Sequence, residues 1–163
     1  GIASGVSAIQ AAKYVQEGYS FNEVISKIQQ LIPNTKVYFL LDTLKYLQLG
    51  GRIGKVQAVL GHVLDMKPII TCDKDGTYIT ESKTRGRQLS LNRMFEIAKN
   101  YIGDHKNFTL AIAQGDAMKD ALRMKERLLE CFPTLHINIG NVSPALGVHT
   151  GPGLLAIAIQ LLD

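Results

Sequence analysis

The chain has 163 residues, and its 46% hydrophobic and 20% charged residues are the balance of one ordinary globular domain. Its net charge of +4 at pH 7 suits an anionic ligand or partner without requiring nucleic acid. No apolar run approaches the roughly 18 residues of a membrane span, and no signal peptide is evident. Cys72 and Cys131 lie far apart and form no C-x-x-C motif, so we expect reduced core cysteines and a cytoplasmic location.

The first part of the chain predicts two helices and a buried strand. Residues 4–17 form the first helix, which begins at Ser4 and buries Ala8, Ala12 and Val15. A capping box at residues 20–23 begins the second helix, whose buried residues are Val24, Ile25, Ile28, Leu31 and Ile32. The strand covers residues 36–41, because an unbroken apolar run is typical of a strand covered on both faces.

A glycine-rich stretch follows a short helical segment over residues 43–49. Gly50 and Gly51 end that segment, since the residue after a helix often has a positive φ, and they place Arg52 on a loop. Residues 54–64 are predicted as the next helix, and a cation beside the free N–H groups of a helix start favours an anion. The stretch lacks the first glycine and the final hydroxyl residue of a Walker A loop. Taken alone, Arg52 is better explained as a solvated loop arginine behind a helix cap.

The second part of the chain alternates strands with helices. Asp75-Gly76 predicts a hairpin between strands at residues 66–71 and 77–82. Two amphipathic helices are predicted over residues 87–102 and 116–131, a loop over 143–153, and further strands over 108–113, 135–139 and 154–162. Six strands with one hairpin predict an α/β fold whose six-stranded sheet is mixed, not all parallel, with flanking helices.

Chemistry is suggested at two further places. The glycine-rich residues 147–153 hold His149 and Thr150 in front of the last strand, where a histidine can pair with a carboxylate or phosphate or bond to local backbone. Residues 83–87 include Arg85 and Arg87 but no interleaved aromatic residues, so an acidic protein partner fits them better than nucleic acid. Metal-ligand spacing, a nucleophile elbow and an acid–base carboxylate pair are missing, so we predict no catalytic set, metal site or cofactor.

The ordered motifs resemble one family. The sequence Leu-Asp-Thr-Leu-Lys-Tyr-Leu at residues 41–47, Gly-Gly-Arg-Ile-Gly-Lys at 50–55 and Met-Lys-Pro-Ile-Ile at 66–70 before Asp-Gly are similar to the DegV family of bacterial fatty-acid-binding proteins. Lys-Thr-Arg at 83–85 and His-Thr-Gly-Pro-Gly at 149–153 fall where that family carries its later motifs. Because the family's proteins have two lobes, the resemblance implies an interlobe helix at residues 1–18, a C-terminal lobe at 19–163 and a missing N-terminal lobe.

The resemblance implies a carrier and not an enzyme. Family members bury a long-chain fatty acid and present its carboxylate to a separate fatty-acid kinase, which makes the acyl phosphate. Carried onto this sequence, the head group would meet Arg52, His149 and Thr150, and the kinase would dock on Arg85 and Arg87. The residues expected to line the acyl chain are Ile53, Leu60, Leu64 and Ile69.

Two other functions follow from the residues alone. An anion- or nucleic-acid-binding module would use the basic loops without lipid, and the aliphatic residues would then form an ordinary core. A phosphotransfer enzyme is disfavoured, because no nucleotide loop or metal-binding carboxylate pair appears. For the carrier, nucleic acid is not an expected partner, whereas transient contact with a membrane is left open.

Overall fold

The described part of the chain, residues 1–59 and 66–163 of this computed structural model, is a central sheet with helices on both faces. The helices are α1 (Ile2–Gln16), α2 (Phe21–Leu31), α3 (Lys45–Leu49), a 3₁₀ helix (Gly54–Val59), α4 (Arg87–Ile102), α5 (Met118–Cys131) and α6 (Pro144–Thr150). The strands are β1 (Thr35–Leu40), β2 (Met66–Cys72), β3 (Tyr78–Arg85), β4 (Phe108–Gly115), β5 (Asn138–Asn141) and β6 (Leu154–Leu161).

The six strands form one sheet in the order β3-β2-β1-β6-β4-β5. Only the β4–β5 pair is parallel among these neighbours, and the other pairs are antiparallel. The predicted α/β fold with a mixed six-stranded sheet is therefore confirmed. The hairpin between β2 and β3 is confirmed as well, with Cys72 opposite Tyr78 across the Asp-Gly turn.

The core has two parts, one on each face of the sheet. On one face, α4 and α5 cover a cluster that includes Leu155, Ile157 and Ile159 of β6. On the other face, Leu154 and Ala156 of the same strand belong to a smaller cluster with Phe39 and Val56. Alternate residues of a strand point to opposite faces, so a central strand buried on both faces is apolar throughout. Truncating one such buried leucine to alanine typically costs about 2–5 kcal/mol.

The first two helices present different faces from those predicted. Helix α1 begins at Ile2 after an N-cap at Gly1, not at Ser4, and buries Val6 and Gln10. Its predicted inward residues Ala8, Ala12 and Val15 are exposed, the last at 62%. In α2 the capping box is confirmed, whereas Ile25 and Ile32 are exposed. Apolar and small residues occur on all sides of α1, so its sequence pattern did not indicate which face of the helix is buried.

Several other boundaries also differ. Residues 143–153 are not simply a loop, because Ser143 and Pro144 begin α6 at its N-cap and N1 positions. Strand β5 covers Asn138–Asn141 and not 135–139, since its ladder with β4 begins where Ala111 faces Asn138. The predicted helix from residue 54 begins as a 3₁₀ helix. Cys131 is exposed rather than in the core, and Cys72 is half-buried.

Candidate ligand-binding site

The loop after α3 holds Arg52 close to its own backbone. Gly50 closes α3 with φ −82, and the positive φ of +66 falls on Gly51, which L side chains rarely adopt. The backbone N–H of Arg52 donates to the carbonyl of Leu47 at 2.8 Å. The Nη1 of Arg52 donates to the carbonyl of Gly50 at 2.9 Å. The Arg52 side chain is exposed, so its remaining donors are accessible to solvent.

Helix α6 carries the second predicted pair. His149 lies in its last turn and is half-buried, and Thr150 is buried. The Thr150 hydroxyl donates to the carbonyl of Leu146 at 3.1 Å, within the helix itself. Gly151, with φ +70, then turns the chain toward β6. The two neighbouring side chains therefore differ in their contacts. The Thr150 hydroxyl bonds within its own helix, whereas the His149 ring faces another segment of the chain.

The structure brings the Arg52 loop and α6 together. A Cβ added at Gly50 would overlap the His149 ring, and one at Gly151 would overlap the ring of Tyr46 in α3. Gly50 thus has the Arg52 guanidinium on its carbonyl and the His149 ring at its α-carbon. Nδ1 of His149 is buried without a hydrogen-bond partner in the described part of the chain. Buried polar atoms are normally paired, so the unpaired Nδ1, which lies against Gly50, is unusual for a packed junction.

An apolar cavity of about 240 Å³ lies beside this junction, between the start of α1 and the sheet. Its wall includes Phe39, Cys72, Tyr78, Ala113, Thr150 and Ala156. Phe39 and Tyr78 meet edge to face with ring centroids 5.1 Å apart. Burial raises the pKa of Tyr78, and the nearby Arg52 charge acts in the opposite sense. Tyr78, near the Arg52 charge, and Thr150, next to His149, therefore connect the cavity wall to the Arg52 loop and to α6.

Only part of the predicted acyl lining lies on this face. Ile53 packs, partly buried, against the cavity-side cluster. Ile69 is fully buried in the cluster under α4, and its neighbour Ile70 occupies the cavity side. On a strand buried on both faces, apolar character alone does not show which way a side chain points, so the sequence does not distinguish Ile69 from Ile70. Leu60 and Leu64 lie outside the described residues.

The two arginines predicted to dock a partner lie in different environments. Arg85 is exposed at the end of β3. Arg87 begins α4 and forms ion pairs with Asp42 at 2.5 Å and Asp120 at 2.6 Å. Sequence reasoning missed both aspartates, which lie 45 and 33 positions from Arg87. No local signal connects them, because the fold alone brings these segments together.

A larger open cavity of about 910 Å³ lies away from the predicted residues. It runs between α1 and the β4–β5 side of the sheet and is lined by residues that include Val6, Phe108 and His136. Arg52, His149 and Thr150 are not in its wall. The larger volume therefore favours this cavity as a ligand site, whereas the smaller cavity has one predicted head-group residue, Thr150, in its wall.

Within residues 1–59 and 66–163, no three His, Cys, Asp or Glu side chains are grouped so that they could hold a metal ion. The helices of this described part include none that is long and apolar enough to cross a membrane.

Comparison with known proteins shows the family. The family model described as "Uncharacterised protein, DegV family" matches residues 1–161. A DegV domain-containing protein of Clostridium acetobutylicum is 35% identical over 160 residues, which cover 97% of this chain and 57% of that protein. Another, from Clostridium perfringens, is 36% identical over 156 residues, covering 96% and 55%. The chain therefore belongs to the DegV family, and it spans just over half the length of these curated relatives.

Solved structures share the fold. A fatty acid (stearic acid)-binding protein of Eubacterium ventriosum matches with a TM-score of 0.88 at 26% identity, over 99% of this chain and 56% of that one. DegV of Bacillus subtilis, a fatty acid binding protein, matches with a TM-score of 0.84 at 26% identity, over 98% and 56%. A fatty-acid-binding DegV family protein of Thermus thermophilus has a TM-score of 0.90 at 23% identity, over 98% and 57%, which supports the fold alone.

Proposed function

We propose that this chain is the C-terminal lobe of a non-catalytic carrier that binds a long-chain fatty acid. The observation that carries the proposal is the apolar cavity whose wall reaches Tyr78, under the Arg52 loop, and Thr150, next to His149. Arg52 and His149 are not in the cavity wall themselves but lie near Tyr78 and Thr150, which are. An apolar space with a cation and a histidine nearby suits a ligand with a hydrocarbon tail and an anionic head. Relatives of the same fold in Eubacterium ventriosum and Bacillus subtilis are fatty-acid-binding proteins.

The two ends of the ligand have separate sources of affinity. Burial of the tail contributes about 0.8 kcal/mol per methylene group, which makes the hydrocarbon the larger part. The carboxylate meets Arg52, whose guanidinium presents forked donors, and His149, whose ring can donate a further hydrogen bond. Thr150 forms the wall between head and tail, because its hydroxyl is engaged by Leu146 and its side chain lines the cavity.

The wider role concerns partners. Residues 1–18 join this lobe to an N-terminal lobe that completes the carboxylate site, and the bound fatty acid is presented to a cytoplasmic fatty-acid kinase that forms the acyl phosphate. Arg85 is the cation in our proposal for kinase docking, since it is exposed on an edge strand. Rim charges of this kind mainly affect the encounter with an oppositely charged partner.

The test uses the size of the cavity. Ala156 lines it from β6, so Ala156→Leu should shorten the preferred acyl chain and weaken binding of palmitic acid by about tenfold or more. Ala145→Leu adds the same atoms at an exposed position of α6 and should leave the preference unchanged. Binding is measured by titration with saturated fatty acids of increasing length. An unmodified protein that binds none of them, or an Ala156→Leu variant with unchanged chain preference, would contradict this function.

A further inference from the structure

Arg87 lies at the centre of a group of contacts that joins distant segments. Its Nε donates to Oδ2 of Asp120 at 2.6 Å. Its Nη1 donates to Oδ1 of Asp42 at 2.5 Å and to the carbonyl oxygen of Gly153 at 2.9 Å. These partners are 33, 45 and 66 positions away in sequence. We call the four residues the Arg87 clamp.

Two members of the Arg87 clamp, Asp42 and Gly153, lie at the ends of the segments that carry the head-group residues. Asp42 comes soon after β1 and leads into α3 and then Arg52. Gly153 comes directly before β6 and ends the turn that follows His149. Gly153 has φ +85, and a Cβ there would overlap the Asp42 carboxylate. Asp42 and Gly153 are thus in direct contact with each other, and Arg87 also bridges them.

The Arg87 clamp is anchored on the side of the sheet that carries α4 and α5. Arg87 is the first residue of α4, and Asp120 lies in the first turn of α5. Their side chains are only 22% and 19% exposed, against 48% for Asp42. Solvent therefore screens the Arg87–Asp120 pair less than a surface pair. Asp120 holds the Arg87 guanidinium in place. The opposite side of that guanidinium bridges Asp42 and Gly153.

We propose that Arg87 is a positioning residue that sets the spacing between the Arg52 segment and the His149 segment, so that both reach one anionic head group. This inference rests on the proposed function and gives Arg87 a role other than partner docking. The role depends on the shape of the guanidinium, because its planar fork bonds in several fixed directions at once. A lysine keeps the charge and has three donors, but they share one nitrogen, so they cannot bond from the two separate positions of Nε and Nη1.

The test separates head-group binding from tail binding. Palmitic acid and hexadecanol have the same tail, and only the first carries a carboxylate. In Arg87→Lys, affinity for the acid should fall about tenfold while affinity for the alcohol stays within about twofold, since one charge-assisted contact is misplaced. Asp120→Asn should change the acid-to-alcohol ratio in the same direction. The control is Arg93→Ala, which removes an exposed cation from α4 and should leave both affinities unchanged.

A second readout needs no lipid. The imidazole NMR signals of His149 in ligand-free protein should shift in Arg87→Lys and Asp120→Asn and stay in place in Arg93→Ala. Unchanged His149 signals together with an unchanged acid-to-alcohol ratio would overturn the positioning role. So would an equal loss of both affinities with a lowered melting temperature, which indicates general destabilisation. If the unmodified protein bound neither lipid, the proposed function would fail, and the His149 signals would still decide the role of Arg87.

Discussion

The imidazole of His149 lies against the α-carbon of Gly50, in the space that any side chain at position 50 would occupy. Gly50 has φ −82, a value open to every residue, so its backbone conformation does not require glycine. The requirement comes from the close approach of α6. Gly51 supplies the positive φ, and the two adjacent glycines therefore serve different physical purposes.

Gly50→Ala should displace the His149 ring. We expect the free energy of unfolding to fall by about 1–3 kcal/mol, the usual cost of forcing atoms into a packed site. Gly147→Ala is the matched control, because it lies in the same helix as His149 with open space around its Cα. Removing a glycine from a helix should stabilise the control by up to about 1 kcal/mol. Equal effects in urea denaturation of both variants would contradict the close contact at Gly50.

Arg52→Ala should weaken fatty-acid binding more than His149→Ala does. A guanidinium presents five N–H donors in a forked geometry, whereas an imidazole presents at most two. We expect about a tenfold loss of palmitic acid affinity for Arg52→Ala and a smaller loss for His149→Ala. Hexadecanol binding should change little in either variant. Lys45→Ala removes an exposed cation from the adjacent α3 and should have no effect, so a comparable loss there would point to nonspecific electrostatics.

Arg85→Ala should weaken the complex with a fatty-acid kinase while the affinity for lipid stays the same. The loss should appear mainly in the association rate and shrink at high salt, because exposed charges act by steering. Surface plasmon resonance at two salt concentrations measures both properties. Arg123→Ala, an exposed cation on α5, provides the control. A parallel loss of lipid affinity would place Arg85 in the ligand site instead.

Protonation of Asp73 should lower the stability of the protein in acid. Its hydrogen bond from Lys55 Nζ, at 2.8 Å, and bonds from the N–H groups of Thr77 and Asp75 hold the pKa of this carboxyl below its ordinary value. A lowered folded-state pKa contributes stability that is fully present above the unfolded pKa and is lost as pH falls through the folded pKa.

The measurement for Asp73 is thermal unfolding from neutral pH down to about pH 3. Asp73→Asn should lower the melting temperature near neutral pH and flatten its decline in acid, because the variant carries no proton-linked contact there. Asp75→Asn removes a carboxylate from the same turn but leaves the Lys55–Asp73 pair, so its acid slope should match that of the unmodified protein. An unchanged slope in Asp73→Asn would show that this pair does not contribute.

The fold could be predicted from sequence wherever one local signal dominated. The apolar runs gave β1 and β6, the Asp-Gly turn gave the β2–β3 hairpin, and the bounds of α4 agree with its apolar stripe. The prediction failed where two local signals competed. The three glycines within residues 147–153 indicated a loop, but Ser143 and Pro144 are suited to the N-cap and first position of the helix that forms.

The sequence could single out candidate residues for the site but not the tertiary contacts that connect them. Arg52 and His149 stood out as polar side chains on glycine-rich segments, and the structure places both beside Gly50. Arg87 was noticed as a charge, but its bonds to Asp42 and Asp120 arise from tertiary contacts that no periodicity encodes. Ile69 and Ile70 are both fully buried, so only the observed register distinguishes the face that each occupies.

The order of the sheet has a consequence for how the protein forms during synthesis. Strand β6 is the last of the six to leave the ribosome, yet it lies in the middle of the sheet between β1 and β4. Until it arrives, the β1–β2–β3 meander and the β4–β5 pair are separate half-sheets with open edges, the state in which unpaired strands invite aggregation. Insertion of Leu154–Leu161 joins the halves and brings Gly153 to Asp42. The contact between Gly153 and Asp42, which lies beside the candidate site, therefore depends on the last of the six strands to be synthesised.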